Sequence, residues 1–274
     1  MPELPEVETV CRGLAENITH RKIVKIQVNR RDLRISIPND LEKLLVNKTV
    51  VEVKRRAKYV LIMLDDEQIL IVHLGMSGSL ILHEKSPEKL RKHDHVIIEF
   101  SSKLIMIFND ARRFGLMTLT NKKDIAENKL FSDLGKEPFD DEMTGKYFYE
   151  ILQKSKSPIK LAIMDQRKIV GVGNIYACEA LFRSKINPER KADMVTKKEA
   201  FLLLKNIKEI LLEAIESGGS TLRDYVRSSG DAGYFQHNFS VYGKAKQACN
   251  ICKNPISVIR QSGRSTFFCE TCQL

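Results

Sequence analysis

Tyr59-Val60-Leu61-Ile62-Met63-Leu64-Asp65-Asp66-Glu67-Gln68-Ile69-Leu70-Ile71-Val72-His73-Leu74 sets the architecture of the first half of the chain. Two dense apolar runs are parted by a short acidic break. Each is strand-length and ends at a turn-forming segment, so Tyr59–Leu64 and Gln68–Leu74 predict β-strands. The pattern recurs on both sides. Ile23–Val28 alternates, and His95–Phe100, Lys103–Asn109 and Gly115–Leu119 read as further short β runs. Many short strands broken by Gly, Asn and Asp predict a sandwich or barrel up to about Leu130. Ahead of them, Leu4, Val7, Cys11 and Leu14 fall at helical spacing, which predicts a first helix from Pro5 to about Ala15.

The periodicity changes after Asp141. Helices are expected at 142–154, 158–166 and 174–184, with the clearest at Lys197–Ser217. There Thr196 and Glu199 have capping-box spacing, Leu203, Ile207, Ile210 and Ala214 form an apolar stripe, and Gly218-Gly219 supplies a stop. Residues 218–240 read as a long polar loop, a length usually kept for function or disorder. At 274 residues the chain calls for two domains and a small appendage.

A hydrophobic content of 43% rules out a disordered chain, and the net charge of +10 points to a polyanionic partner. Nucleic acid is favoured over a membrane surface, because no apolar run is long enough to span a bilayer. The start of the chain carries no secretory pattern, so a cytosolic protein is expected. That expectation governs Cys249-x2-Cys252-x16-Cys269-x2-Cys272. Paired cysteine knuckles at this spacing present four thiolates to one zinc; two disulfides or free thiols are the alternative. Lys244, Lys246, Lys253, Arg260 and Arg264 stand against Glu270 alone in the same tail, as in a metal-stapled nucleic-acid grip.

Other segments carry chemistry of their own. Pro2, exposed as a secondary amine once Met1 is removed, would titrate near pH ~8 against ~10.4 for a lysine and could attack a sugar carbon to give an iminium ion. Glu3 and Glu6 lie within a turn of it. The plainer alternative is a helix start, with Pro5 in the first turn and acids at the positive end. Gly171-Val172-Gly173-Asn174 reads as a turn between helices whose last residue can reach a phosphate, or as an ordinary connection. Gly75-Met76-Ser77-Gly78 and Asp110-Ala111-Arg112-Arg113-Phe114-Gly115 each end a strand, with apolar side chains at or near the tip. Such residues can serve as wedges that unstack bases, with an arginine beside them for a base edge or phosphate. Basic clusters occur at Arg55-Arg56-Ala57-Lys58 and around Lys92-His93-Asp94-His95; solvated surface is their default reading.

Taken in order, Pro2–Val10, Gly75–Ser79, Asp110–Gly115, Gly171–Ala177 and the cysteine tail strongly resemble bacterial formamidopyrimidine-DNA glycosylase over the whole chain. The resemblance implies an α+β multidomain fold: a β-sandwich with a flanking helix at 1–131, a helix-two-turn-helix domain with a lesion-capping loop at 132–239, and a zinc-finger β-hairpin at 240–274. It implies double-stranded DNA containing oxidised purines as the partner, running across a basic cleft between the main domains. One structural zinc ion is implied, with neither redox cofactor nor catalytic metal. Residue by residue, Pro2 matches the nucleophile and Glu3 the acid that assists sugar-ring opening. Glu6 matches the orienting carboxylate, Lys58 the lysine of β-elimination and Arg264 the arginine of δ-elimination. Asn174 matches a phosphate grip, and His93 and Lys156 further backbone contacts. Met76, Arg112 and Phe114 match the set that fills the gap and holds the orphaned cytosine. A monomer in the bacterial cytoplasm, associated with the nucleoid through DNA, is expected.

Three readings compete. An endonuclease VIII-type enzyme for oxidised pyrimidines shares the Pro-Glu start and the hairpin, but neither the Glu-Leu-Pro-Glu-Val-Glu opening nor the Met76 and Arg112–Phe114 set. A non-catalytic zinc-finger DNA-binding protein has no need of Pro2, Glu3 or Lys58. An RNA-associated ribbon protein leaves the remaining motifs unexplained.

Overall fold

The computed structural model describes residues 2–85, 87–219 and 238–274. These divide into two compact units, one built from residues 2–132 and 217–219, the other from 133–216 and 238–274. The segments Thr221–Tyr225 and Gly233–Gln236 of the expected lesion-capping loop lie outside the described residues.

The first unit opens with helix α1, Leu4–Ile18. Its start is chemically specified: Glu3 is the N-cap, Pro5 occupies the first turn, and Glu3 and Glu6 cap one another's backbone amides. Leu4, Val7, Val10, Cys11, Leu14 and Ile18 are buried, so the apolar stripe runs one turn beyond the expected end at Ala15. A short helix α2 (Leu41–Leu45) and two four-stranded antiparallel sheets complete the unit. Strands β1 (Ile23–Val28), β6 (Asp94–Phe100), β7 (Ile105–Asn109) and β5 (Ser79–His83) lie in that order. The other sheet runs β2 (Val50–Arg56), β3 (Tyr59–Leu64), β4 (Gln68–His73) and β8 (Leu116–Asn121).

Val60, Ile62, Leu70, Val72 and Met117 of one sheet share a core with Leu80, Val96, Ile98, Met106 and Phe108 of the other, closed by Val7, Val10 and Leu14 of α1. Side chains of this size each contribute about 1.5–3 kcal/mol when fully buried. On the opposite face of β6 and β7, Ile97, Ile105 and Ile107 form a separate buried cluster. Burial on both faces explains why these strands read as continuous apolar runs rather than alternation. β2 and β5 had no counterpart in the sequence reading. Charged Glu52, Lys54, Arg55 and Arg56 dilute the apolar signal of β2, and a register shift between Val50 and Glu52 breaks its period.

In the second unit, α3 (Gly145–Gln153) is capped by Thr144, whose Oγ1 accepts from Tyr147 N at 3.1 Å. Helices α4 (Ile159–Met164) and α5 (Asn174–Arg183) flank the glycine turn. The expected capping box opens α6 (Lys197–Glu216): Glu199 Oε2 accepts from Thr196 N at 2.8 Å, and Thr196 Oγ1 from Glu199 N at 3.3 Å. A hairpin of β9 (Ser257–Gln261) and β10 (Arg264–Phe268) packs against α5. Both turn residues, Ser262 (φ 45°) and Gly263 (φ 74°), are left-handed, as a two-residue hairpin turn that follows the strand twist requires. Among the described residues, no helix is long and apolar enough to cross a membrane.

Candidate active site and metal centre

Pro2 is buried and stands directly before the capped start of α1. Glu3 and Glu6 are each 1% exposed. Glu6 Oε2 accepts from Glu3 N at 2.8 Å while the Glu3 carboxylate returns the bond to the Glu6 amide. The two acids that follow Pro2 therefore hold each other in place, at the helix end whose dipole favours negative charge.

Arg55 ties this end of the fold to Lys58. Its Nε donates to Glu8 Oε2 on α1 at 2.9 Å and its Nη1 to the Ala57 carbonyl at 3.0 Å. Ala57 takes a left-handed φ of 51°, which turns β2 into β3 and brings Lys58 to the corner, 9% exposed. His73, at the end of β4, lies beside this lysine. Burial, reinforced by the charges of Lys58 and Arg34, lowers its pKa from 6.5 to about 4. Its Nδ1 accepts from Gly75 N at 2.9 Å, which places the remaining ring proton on Nε2. The sequence marks His73 only as a strand end and does not mark Arg34 at all.

The two strand-end loops meet backbone to backbone. Gly75 has φ 63°, and a Cβ there would lie 2.4 Å from Gly115 N. Asp110, 0% exposed, fastens them: Oδ1 accepts from Ser77 Oγ at 2.7 Å and Arg112 N at 3.2 Å, and Oδ2 from Gly115 N at 2.8 Å. The Asp110 amide in turn donates to the His93 carbonyl at 3.1 Å. Phe114 stays 47% exposed with the Arg112 guanidinium 4.9 Å from its ring centroid, while Met76 is half-buried rather than free at the tip. His93 and His95 have ring centroids 6.2 Å apart and belong to no metal-holding group among the described residues.

In the second unit, Asn174 is the first residue of α5, behind Gly173 as N-cap. Its side-chain oxygen accepts from Lys160 Nζ at 2.6 Å, and its Nδ2 donates to the Ser265 carbonyl of β10 at 2.9 Å. An ammonium can only donate and a carbonyl can only accept, so these partners fix which way the amide points. Lys160 is 0% exposed and also donates to Thr266 Oγ1 at 2.6 Å, joining the turn to the hairpin. Nothing in the sequence marked it among the chain's 45 basic residues. Glu179 of α5 accepts from the amides of Ser240, Val241 and Tyr242 at 2.7–2.9 Å, holding the entry to the cysteine tail. Burial raises its pKa against the pull of those three amides. Lys156 is exposed between α3 and α4, and Arg264 is exposed beside the hairpin turn.

The sulfurs of Cys249, Cys252, Cys269 and Cys272 all lie within 4.8 Å of one another, with Cys252–Cys269 at 3.4 Å and Cys249–Cys272 at 3.9 Å. Tetrahedral zinc with bonds of ~2.3 Å separates its sulfurs by about 3.8 Å, so the group fits that ion. All four cysteines are free of disulfides, which removes the two-disulfide alternative for the tail.

Three family models match the chain in succession. They are the formamidopyrimidine-DNA glycosylase N-terminal domain over residues 1–117, the formamidopyrimidine-DNA glycosylase H2TH domain over 134–226, and a zinc finger found in FPG and IleRS over 246–274. A formamidopyrimidine-DNA glycosylase of Wolbachia pipientis is 48% identical over 273 residues, and that of Bartonella henselae 44% over 290, with 100% of each chain covered. Among solved structures, the Lactococcus lactis Fpg protein in complex with a DNA containing N7-benzyl-Fapy-dG has TM-score 0.90, 36% identity and 99% coverage of both chains. The same protein in complex with an abasic-site DNA has TM-score 0.91, again at 36% identity and 99% coverage.

Proposed function

Because the chain belongs to the formamidopyrimidine-DNA glycosylase family, we propose that Pro2, freed by removal of Met1, is the nucleophile with which it excises oxidised purines from double-stranded DNA. It is a base-excision-repair glycosylase with AP lyase activity. One observation carries the assignment of the nucleophile: Pro2 is followed at once by a buried carboxylate pair, Glu3 and Glu6, locked by reciprocal hydrogen bonds.

A base stacked in a duplex cannot be attacked at C1′, so the nucleotide is first extruded at a cost of about a few kcal/mol. The Pro2 amine then bonds to C1′ as the bond to the base breaks, and Glu3 protonates the ring oxygen to open the sugar. The resulting iminium withdraws electrons and acidifies the C2′ proton. Lys58 assists the loss of the 3′ phosphate, and Arg264 the later loss of the 5′ phosphate. Glu6 keeps Glu3 in place through its bond to the Glu3 amide. Asn174, Lys156 and His93 hold phosphates, while Met76, Arg112 and Phe114 fill the space left by the lesion. An exposed aromatic ring with a guanidinium beside it suits that task.

One zinc ion per chain, held by Cys249, Cys252, Cys269 and Cys272, supplies folding energy to the hairpin; four thiolates leave no position for a reactive water. The protein acts as a monomer on nucleoid DNA in the bacterial cytoplasm. The pyrimidine-specific and non-catalytic alternatives lose support, since both larger segments match domains of the purine-repair family.

Borohydride reduction tests the assignment. Protein processed to Pro2 should be trapped covalently on duplex DNA carrying 8-oxoguanine opposite cytosine, whereas a tag ahead of Pro2 should abolish trapping and leave binding intact. Trapping that persists with a blocked N-terminus overturns it.

A further inference from the structure

We infer that Ser77 and Asp110 are positioning residues that make the Met76 loop and the Arg112–Phe114 loop enter DNA as a single body. The inference rests on the reading of Met76, Arg112 and Phe114 as the residues that fill the lesion gap. These residues come from loops thirty-odd positions apart in sequence, a separation that by itself gives no shared geometry. What joins them is a buried carboxylate. Asp110 accepts from Ser77 Oγ at 2.7 Å across the loop junction, and Ser77 Oγ itself accepts from Arg112 N at 3.1 Å. The second carboxylate oxygen takes the amide of Gly115, and the Asp110 carbonyl meets His95 Nε2 at 2.7 Å.

Asp110 is 0% exposed and Ser77 8%, so water cannot replace these bonds, and a charge-assisted bond in such a setting is stronger than one at the surface. Both residues are buried, and the exposed parts of the junction are Ala111, Arg112, Arg113 and Phe114. The contact of Gly75 with Gly115 completes the junction. With both loops fixed to one anion, ordering one wedge orders the other. The entropy of arranging the gap-filling set is then lost on folding rather than on each encounter with a lesion.

The test uses full-length, zinc-loaded protein and a duplex with 2-aminopurine placed opposite-strand to an abasic analogue. Its fluorescence reports entry of the wedge residues in stopped flow. Borohydride trapping on a single-stranded abasic oligonucleotide, which has no opposite strand to hold, gives the reference rate. Ser77→Ala, a small change that keeps the fold, should slow the fluorescence phase about tenfold relative to that reference, the effect of one buried hydrogen bond. In a Met76→Ala background it should cost little more, because the two act through one assembly. An unchanged fluorescence phase in Ser77→Ala overturns the inference, as does a full additive loss in the double variant. Asp110→Asn, scored by the same ratio, should be slower than Ser77→Ala; a ratio equal to wild type also overturns it. Met76→Ala alone separates the premise. If it leaves the fluorescence phase untouched, the gap-filling reading fails and the inference falls with it.

Discussion

Lys160 holds Asn174: its ammonium, with none of its surface exposed, donates to the Asn174 side-chain oxygen at 2.6 Å and to Thr266 on the hairpin at the same distance. Lys160→Met keeps the chain length but removes every donor. We expect an order-of-magnitude loss of affinity for abasic-analogue duplex DNA, about the effect of leaving buried acceptors unpaired. The slope of log affinity against log salt should flatten by about 0.9 if one phosphate contact goes with it. A double variant with Asn174→Ala should bind no worse than Asn174→Ala alone. Filter binding across a salt series checks each point.

Removing zinc should disorder the hairpin before the sandwich. Under a strong chelator, amide exchange in Ser257–Gln261 and Arg264–Phe268 should rise steeply while β3 and β4 keep their protection, because the four cysteines lie in the second unit. DNA binding should be lost in parallel and return when zinc is restored. Hydrogen-exchange mass spectrometry resolves the two regions.

Gly75→Ala should be destabilising by about 2–4 kcal/mol, since a methyl at a left-handed position would meet the backbone of Phe114 and Gly115. Urea unfolding measures the loss. Gly263→Ala is the useful contrast: its φ is also positive, yet a Cβ there meets nothing within 4 Å, so its cost should be confined to backbone strain of about 1 kcal/mol.

His73 predicts a pH dependence. Its folded pKa, lowered from 6.5 to about 4, means that the unfolded chain takes up a proton between those values and the folded chain does not. Its contribution is complete above pH 6.5 and lost as the pH falls toward 4, on the order of 1–3 kcal/mol by linkage. His73→Gln should remove that part of the acid sensitivity. Thermal unfolding of both proteins between pH 4 and 7 gives the comparison.

Arg264→Ala should separate the two cleavage steps. Base removal and 3′ cleavage should continue, while products cut on both sides of the lesion should fall about tenfold or more, the effect of losing a charged donor to the departing phosphate. Gel mobility of the product ends distinguishes them.

The strands at Tyr59–Leu64 and Gln68–His73 could be read directly because burial on both sides gives them uninterrupted apolar sequence. α6 was legible because its cap, stripe and glycine stop agree locally. β2 was hidden by charges that serve other elements: Arg55 is spent on Glu8 and the Ala57 turn. Pro2 stands out locally because Glu3 and Glu6 lie within a turn of it, whereas Lys58 and Arg264 read as ordinary basic surface and take their candidate roles only from the family resemblance. Lys160, Glu179 and Asp110 act through partners 61–106 residues or a full loop away, and no local pattern records such pairings.

The reciprocal bond between Glu3 and Glu6 has one more effect. The carboxylate that neighbours Pro2 is also the N-cap of α1, so the first turn of the helix and the acid we propose for sugar opening share the same oxygen atoms. A proton placed on Glu3 converts part of an acceptor into a donor and weakens its hold on the Glu6 amide. The catalytic cycle would then be accompanied by a small loosening and retightening of α1 at its origin, in step with each proton that Glu3 takes up and delivers.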